Sequence, residues 1–123
     1  MRRGFLLLIL FVTGCSREAS YRAVVEEQIA AWDEMGRLFE TVKDKDSMAA
    51  AQDRLHALEK RYRAIAERAK SLATPNPDIQ EKLRDEIERL QTSLLRVRRE
   101  MNRIRELPGG KEFLAGLEGL EPR

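Results

Sequence analysis

The sequence predicts an all-α fold: an up-down-up antiparallel three-helix coiled-coil bundle, preceded by an N-terminal signal helix and followed by a short C-terminal tail. Three observations predict it. Apolar residues recur at alternating spacings of three and four along most of the chain, the period of one helix face. No stretch alternates apolar and polar residues as a half-buried strand does. Charged residues make up 36% of the chain and aromatics only 6%, with Leu, Ala, Glu and Arg dominant, which is the composition of long amphipathic helices.

The chain opens with a basic start (Arg2, Arg3), an unbroken apolar run from Phe5 to Val12, and Thr13-Gly14-Cys15. This is the layout of an export signal with a cleavage point after small residues. The apolar run is far shorter than the ~20 residues that span a bilayer. Residues 1–14 are therefore expected to be a signal peptide and 15–19 the N-terminus of the mature chain. Their removal takes Arg2 and Arg3 away and brings Lys+Arg from 23 to 21, equal to the 21 Asp+Glu. The basic balance of the full chain thus belongs to the leader, and it is no argument for nucleic-acid binding.

The bundle is expected over 20–107, with helices at about 20–43, 47–73 and 77–107. In the first, Val25, Ile29, Trp32, Met35, Phe39 and Val42 share one face. Gly36 beside them either lets a neighbouring helix approach or is simply tolerated, at ~1 kcal/mol against alanine. Asp44, Asp46 and Ser47 can each cap the second helix. Its seam is Met48, Ala51, Leu55, Leu58, Tyr62, Ile65, Ala69 and Leu72. Pro75-Asn76-Pro77-Asp78 stops one helix and starts the next: Asn76 can cap, Pro77 suits the first helical position and Asp78 complements the positive helix end. Leu83, Ile87, Leu90, Leu94, Val97, Met101 and Ile104 form the third seam. Leu107-Pro108-Gly109-Gly110 ends it. The tail 108–123 carries Phe113, Leu114, Leu117 and Leu120 as one apolar patch, with a short helix expected over 111–117. A single hairpin that completes its core by dimerising is the alternative architecture.

Val12-Thr13-Gly14-Cys15 resembles the lipobox of bacterial lipoproteins. The resemblance implies that Cys15 is lipidated and becomes the first mature residue. Cys15 is also the only cysteine, and an unpaired thiol in an exported chain needs an explanation. One acyl chain binds a membrane only marginally, whereas two or more, such as palmitate chains, anchor it stably. Ser16 in place of aspartate leans, on the family pattern, towards the outer membrane facing the periplasm in a Gram-negative cell. Separately, Val42-Lys43-Asp44-Lys45-Asp46-Ser47-Met48-Ala49-Ala50-Ala51 resembles the turn-into-helix segment of small exported helical-hairpin proteins of unknown function. That second resemblance implies a hairpin and no activity.

No catalytic constellation, cofactor site or metal site is expected. His56, the only histidine, sits on the flank of the second seam without a ligand set. Haem is not expected: no Cys-x-x-Cys-His is present, and Met35, Met48 and Met101 occupy seam positions where methionine is ordinary filling. Carboxylates such as Glu59 and Asp85 have Arg63 and Arg89 four residues on, the spacing of surface ion pairs. Arg96, Arg98, Arg99, Arg103 and Arg105, with Glu100 among them, give +4 over ten residues. The first helix carries Glu26, Glu27, Asp33, Glu34 and Glu40 against Arg37, which is −4. Two uses of the arginines follow. They match Glu34 and Glu40 on a parallel neighbour and favour a helix C-terminus, or they dock an acidic protein or an anionic envelope polymer. Nucleic acid is disfavoured, since no aromatics interleave with the arginines. The expected function is a non-enzymatic, lipid-anchored helical spacer or adaptor, with self-oligomerisation through the helices as the alternative.

Overall fold

The computed structural model describes the backbone of residues 2–117 and 120, and the side chains of 17–117 and 120. Among the described residues every regular element is helical and there is no strand. The elements are α1 (Arg2–Glu40), α2 (Lys45–Ser71), α3 (Pro77–Lys82), α4 (Arg84–Arg105) and α5 (Gly110–Leu114), with a single 3-10 turn over Ala115–Leu117.

The expected start of the first helix near residue 20 is not a boundary. The backbone of α1 runs from Arg2 through Cys15 to Glu40 without a break. Thr41 and Val42 then donate their N–H groups to Leu38 O and Phe39 O, both at 3.0 Å, which tightens the last turn. Of the three possible caps for α2, the structure uses Asp44. Asp44 Oδ1 accepts the Ser47 N–H at 2.8 Å, and Ser47 Oγ accepts the Asp44 N–H at 3.0 Å, a reciprocal capping box. These bonds hold the Asp44 carboxyl below its ordinary pKa.

The helix expected over 77–107 is divided. Asn76 Oδ1 accepts the Ile79 N–H at 2.9 Å and Pro77 takes the first helical position. At Leu83 the backbone departs to φ −101° and ψ 11°. The bonds Leu83 N–H to Ile79 O (3.0 Å) and Ile87 N–H to Leu83 O (2.9 Å) still bridge the step. The division is a local distortion between α3 and α4, with Leu83 itself buried.

α1 packs against both α4 and α2, and α5 packs against both α4 and α2. Two neighbours widen the buried stripe of α1 beyond a single seam. Ile29, Trp32, Met35, Phe39 and Val42 are buried, and so are Ala31 and Gly36. A Cβ added at Gly36 would meet Arg96 and Val97 at 3.6–3.7 Å, ordinary contact, so the glycine is tolerated and does not enforce the approach. On α2, Met48, Ala51, Leu55, Leu58, Tyr62 and Ile65 are buried. On α4, Val97, Met101 and Ile104 are buried, while Ile87, Leu90 and Leu94 are only partly so. Ser93 is buried instead, where it donates to Asp33 Oδ1 of α1 at 2.6 Å.

The tail completes this core. Gly109 turns the chain at φ 80°, a left-handed geometry that favours glycine. Gly110 follows with no room for a side chain, since a Cβ there would lie 1.7 Å from the Ile104 carbonyl oxygen. The turn places Phe113, Leu114 and Leu117 in the main core, with Phe113 edge-on to Phe39 at 6.4 Å between ring centroids. Arg63 donates to Gly116 O at 3.3 Å and the Glu59 carboxylate lies beneath the same glycine. Midway along the molecule Trp32 and Tyr62 stack tilted at 4.6 Å. Burial raises the Tyr62 hydroxyl pKa, and the nearby Trp32 indole opposes it. At the other end a second, small cluster holds Tyr21, Ile79 and Leu83.

Candidate docking face

The arginines of α4 do not form one free patch. Arg96 turns onto α1 and pairs with Glu40, Nε donating to Oε1 at 3.1 Å, which raises the Arg96 pKa further. Arg103 reaches past the end of α1. Its Nη1 donates to Val42 O at 2.8 Å and its Nη2 to Phe39 O at 2.7 Å, while Nε donates to Glu100 Oε2 at 2.8 Å. A cation is thereby placed at the C-terminal end of α1, where the helix dipole is negative, and Phe39 O accepts from Arg103 as well as from the Val42 N–H. Arg105 donates to Asn102 Oδ1 at 2.7 Å. Arg98 and Arg99 are exposed.

The expected matching of α1 acids to α4 arginines holds for Glu40 and fails for Glu34. Glu34 instead faces α2, accepting from Arg61 at 2.9 Å with Arg54 at 3.7 Å, and its carboxyl is held below its ordinary pKa chiefly by Arg61. Neighbouring acids follow the same logic: Glu27 pairs with Arg68 of α2, and Glu26 with Arg89 of α4 at 3.2 Å. The pairing expected within one helix between Asp85 and Arg89 is thus replaced by a pair across helices. Glu59 and Arg63 likewise both turn onto Gly116. A single sequence shows which charges are four apart; it does not show which helix lies beside them.

His56 is exposed and hydrogen-bonded to Gln52 at 3.0 Å, while Met35, Met48 and Met101 lie in the main core. Among the described residues no group of three or more His, Cys, Asp and Glu is placed to hold a metal ion, and no helix is long and apolar enough to cross a membrane. The backbone of Cys15 lies within α1, and its side chain is outside the described residues.

One apolar residue of α4 lies off its seam. Leu95 is 55% exposed, the one large hydrophobic residue left in solvent among the described side chains. The adjacent pair Leu94-Leu95 was a signal for it, because two successive helical residues cannot both face one seam. At 100° per residue, Glu88, Leu95 and Arg99 fall within about 40° of one another on the outer side of α4. Compared with known proteins, the chain matches no family model, no curated protein and no solved structure, so these residues and their arrangement are what a functional reading stands on.

Proposed function

We propose that this chain is a non-enzymatic, lipid-anchored helical protein of the bacterial envelope, a spacer or adaptor held by acylated Cys15 that presents its far end to another envelope component. The observation that carries the reading is the export pattern ending in Val12-Thr13-Gly14-Cys15. Among the described side chains, the core from Tyr21 to Leu117 lies wholly within the part that would remain after cleavage. In this reading the mature part is an up-down-up antiparallel three-helix coiled-coil bundle. Cross-helix pairs favour that topology, because partner numbers rise together between α1 and α4 (Arg22–Glu86, Glu26–Arg89, Glu40–Arg96) and run oppositely between α1 and α2 (Glu27–Arg68, Glu34–Arg61). From residue 16 to Glu40, α1 would project roughly 35–40 Å at ~1.5 Å per residue.

Mass analysis of the membrane-extracted product tests the anchor. The expected product starts at Cys15 and carries acyl chains, and Cys15→Ser releases the protein from the membrane fraction. A soluble product with a free thiol at position 15 would overturn the reading. Docking is assigned chiefly to Arg99, exposed and without an ion-pair partner among the described residues, with Arg98 and Arg105 beside it. Arg98→Glu with Arg99→Glu is expected to abolish recovery of crosslinked envelope partners while helicity is unchanged. A second reading, self-association, is favoured by the exposed Leu95.

A further inference from the structure

We propose that α4 pairs with α4 of a second copy of this chain, antiparallel, through the outer face centred on Leu95. The inference rests on the self-association reading and names its surface and symmetry.

Leu95 is exposed on a helix whose other large apolar residues are buried or partly buried. Glu88 precedes it by seven residues and Arg99 follows it by four, both on the same stripe. Neither has an ion-pair partner among the described residues. This sets them apart from Glu26, Glu27, Glu34 and Glu40, each of which holds an arginine of another helix. Two unlike charges are thus left unmatched on opposite sides of one exposed leucine.

Their order makes the stripe self-complementary. A two-fold axis through Leu95 superposes the stripe on its own reverse, as an isologous contact requires. Glu88 lies about 10 Å to one side of the axis and Arg99 about 6 Å to the other. The second copy therefore brings its Arg99 within about 5 Å of the level of Glu88, inside the reach of an arginine. Farther out, Arg84, which also pairs with Glu81 of its own chain, and Glu106, the residue after α4, stand eleven residues either side of Leu95 and come to the same level. Four charges in the order plus, minus, plus, minus find unlike partners when the copy is reversed. A parallel copy in the same register sets Glu88 against Glu88 and Arg99 against Arg99.

The stripe is one helix wide, so the contact belongs to the small, weak class of interfaces, below about 1,200 Å² of buried surface. Paired this way, two Cys15 residues lie at opposite ends of the dimer. Both reach one bilayer only when the rods lie along its surface, so pairing and upright projection are alternative arrangements of one molecule.

The test is a charge swap, read as molecular mass of the full-length chain in detergent micelles by sedimentation across a concentration series. Wild type is expected to dimerise. Glu88→Arg and Arg99→Glu singly should each raise the dissociation constant on the order of tenfold, since each breaks two symmetric pairs. The double variant should return to within about twofold of wild type, because the exchanged charges at positions 88 and 99 again face unlike partners across the axis. Leu95→Cys should crosslink to itself on oxidation, identified as a linked 95–95 peptide, while Glu88→Cys should link to Arg99→Cys in a mixture. A dimer that ignores the single charge changes, or a double variant that stays impaired, overturns this face while leaving self-association standing. A chain that is monomeric throughout overturns both.

Discussion

The two ends of the molecule are built differently. At the end where α1 stops, four segments converge: Phe39 from α1 with Val42 just past it, Met48 and Leu55 from α2, Met101 and Ile104 from α4, and Phe113, Leu114 and Leu117 from the tail. Phe39, Leu55, Ile104 and Leu114 have no exposed surface at all. Arg103 then ties the last carbonyls of α1 to α4. Among the described residues, the Pro75 end buries Tyr21, Ile79 and Leu83, with Leu72 and Ile87 partly buried, and the described tail lies at the other end. The Tyr21 hydroxyl donating to Ala73 O, and the Arg22–Glu86 pair, hold that end together instead. Among the described residues, helices with similar seams along their length thus end in unequal cores, because the described tail packs at one end. Local stability should be graded accordingly: amides near Tyr21 and Ile79 are expected to exchange with solvent well before those near Phe39 and Met101.

The largest expected effect removes the fourth segment. Leu114→Ala should cost about 2–5 kcal/mol, the range for a fully buried leucine. Gly110→Ala should be at least as damaging, because its Cβ falls on the Ile104 carbonyl. Urea unfolding followed by the fluorescence of Trp32, the only tryptophan, reads both. A loss below about 1 kcal/mol for Leu114→Ala would erase the contrast between the ends. Next, Arg103→Ala should cost about 1–2 kcal/mol, since the C-terminus of α1 loses a charged donor to two carbonyls. Tyr21→Phe should cost about 0.5–1.5 kcal/mol, and exchange near Ala73 should quicken without change near Phe39.

Gly36→Ala works in the opposite direction and is expected to stabilise by up to about 1 kcal/mol, since the added Cβ finds ordinary contacts. A thermal midpoint lowered by this change would mean that the α1–α4 contact is closer than described. The mildest effect is on pH. Asp44 and Glu34 both have depressed pKa values, Asp44 through the Ser47 N–H and Glu34 through Arg61. Each therefore contributes stability that is present above the ordinary carboxylate range and is lost as pH falls through the depressed value. The urea midpoint should decline on the acid side, less steeply in Asp44→Asn.

Much of the helical framework was legible in the residues. The α2 seam from Met48 to Ile65 is buried as its heptads predict, and Asn76-Pro77 starts a helix where capping chemistry says it should. The arginines of α4 were legible as a cluster, but their partners were not. Arg96 and Arg103, seven residues apart, flank the seam and turn inward to Glu40 and to the carbonyls at the end of α1, whereas Arg99 stays outside; their spacing separates the two faces but does not show what lies beside either. Leu90 and Leu94 sit at seam positions yet remain partly exposed, while Ser93 is buried opposite Asp33.

By itself the sequence determined what depends on neighbours in the chain: helical periodicity, the capping residues, the stop at Pro75, and the charge order along each helix. Those follow from backbone geometry within one or two turns. Only the tertiary structure decided that the Gly109-Gly110 turn carries Phe113, Leu114 and Leu117 back into the core, and that α1 lies against both long partners. It also decided which arginine meets which acid. These are contacts between residues far apart in the chain, chosen by how whole helices pack, and no local pattern encodes that choice.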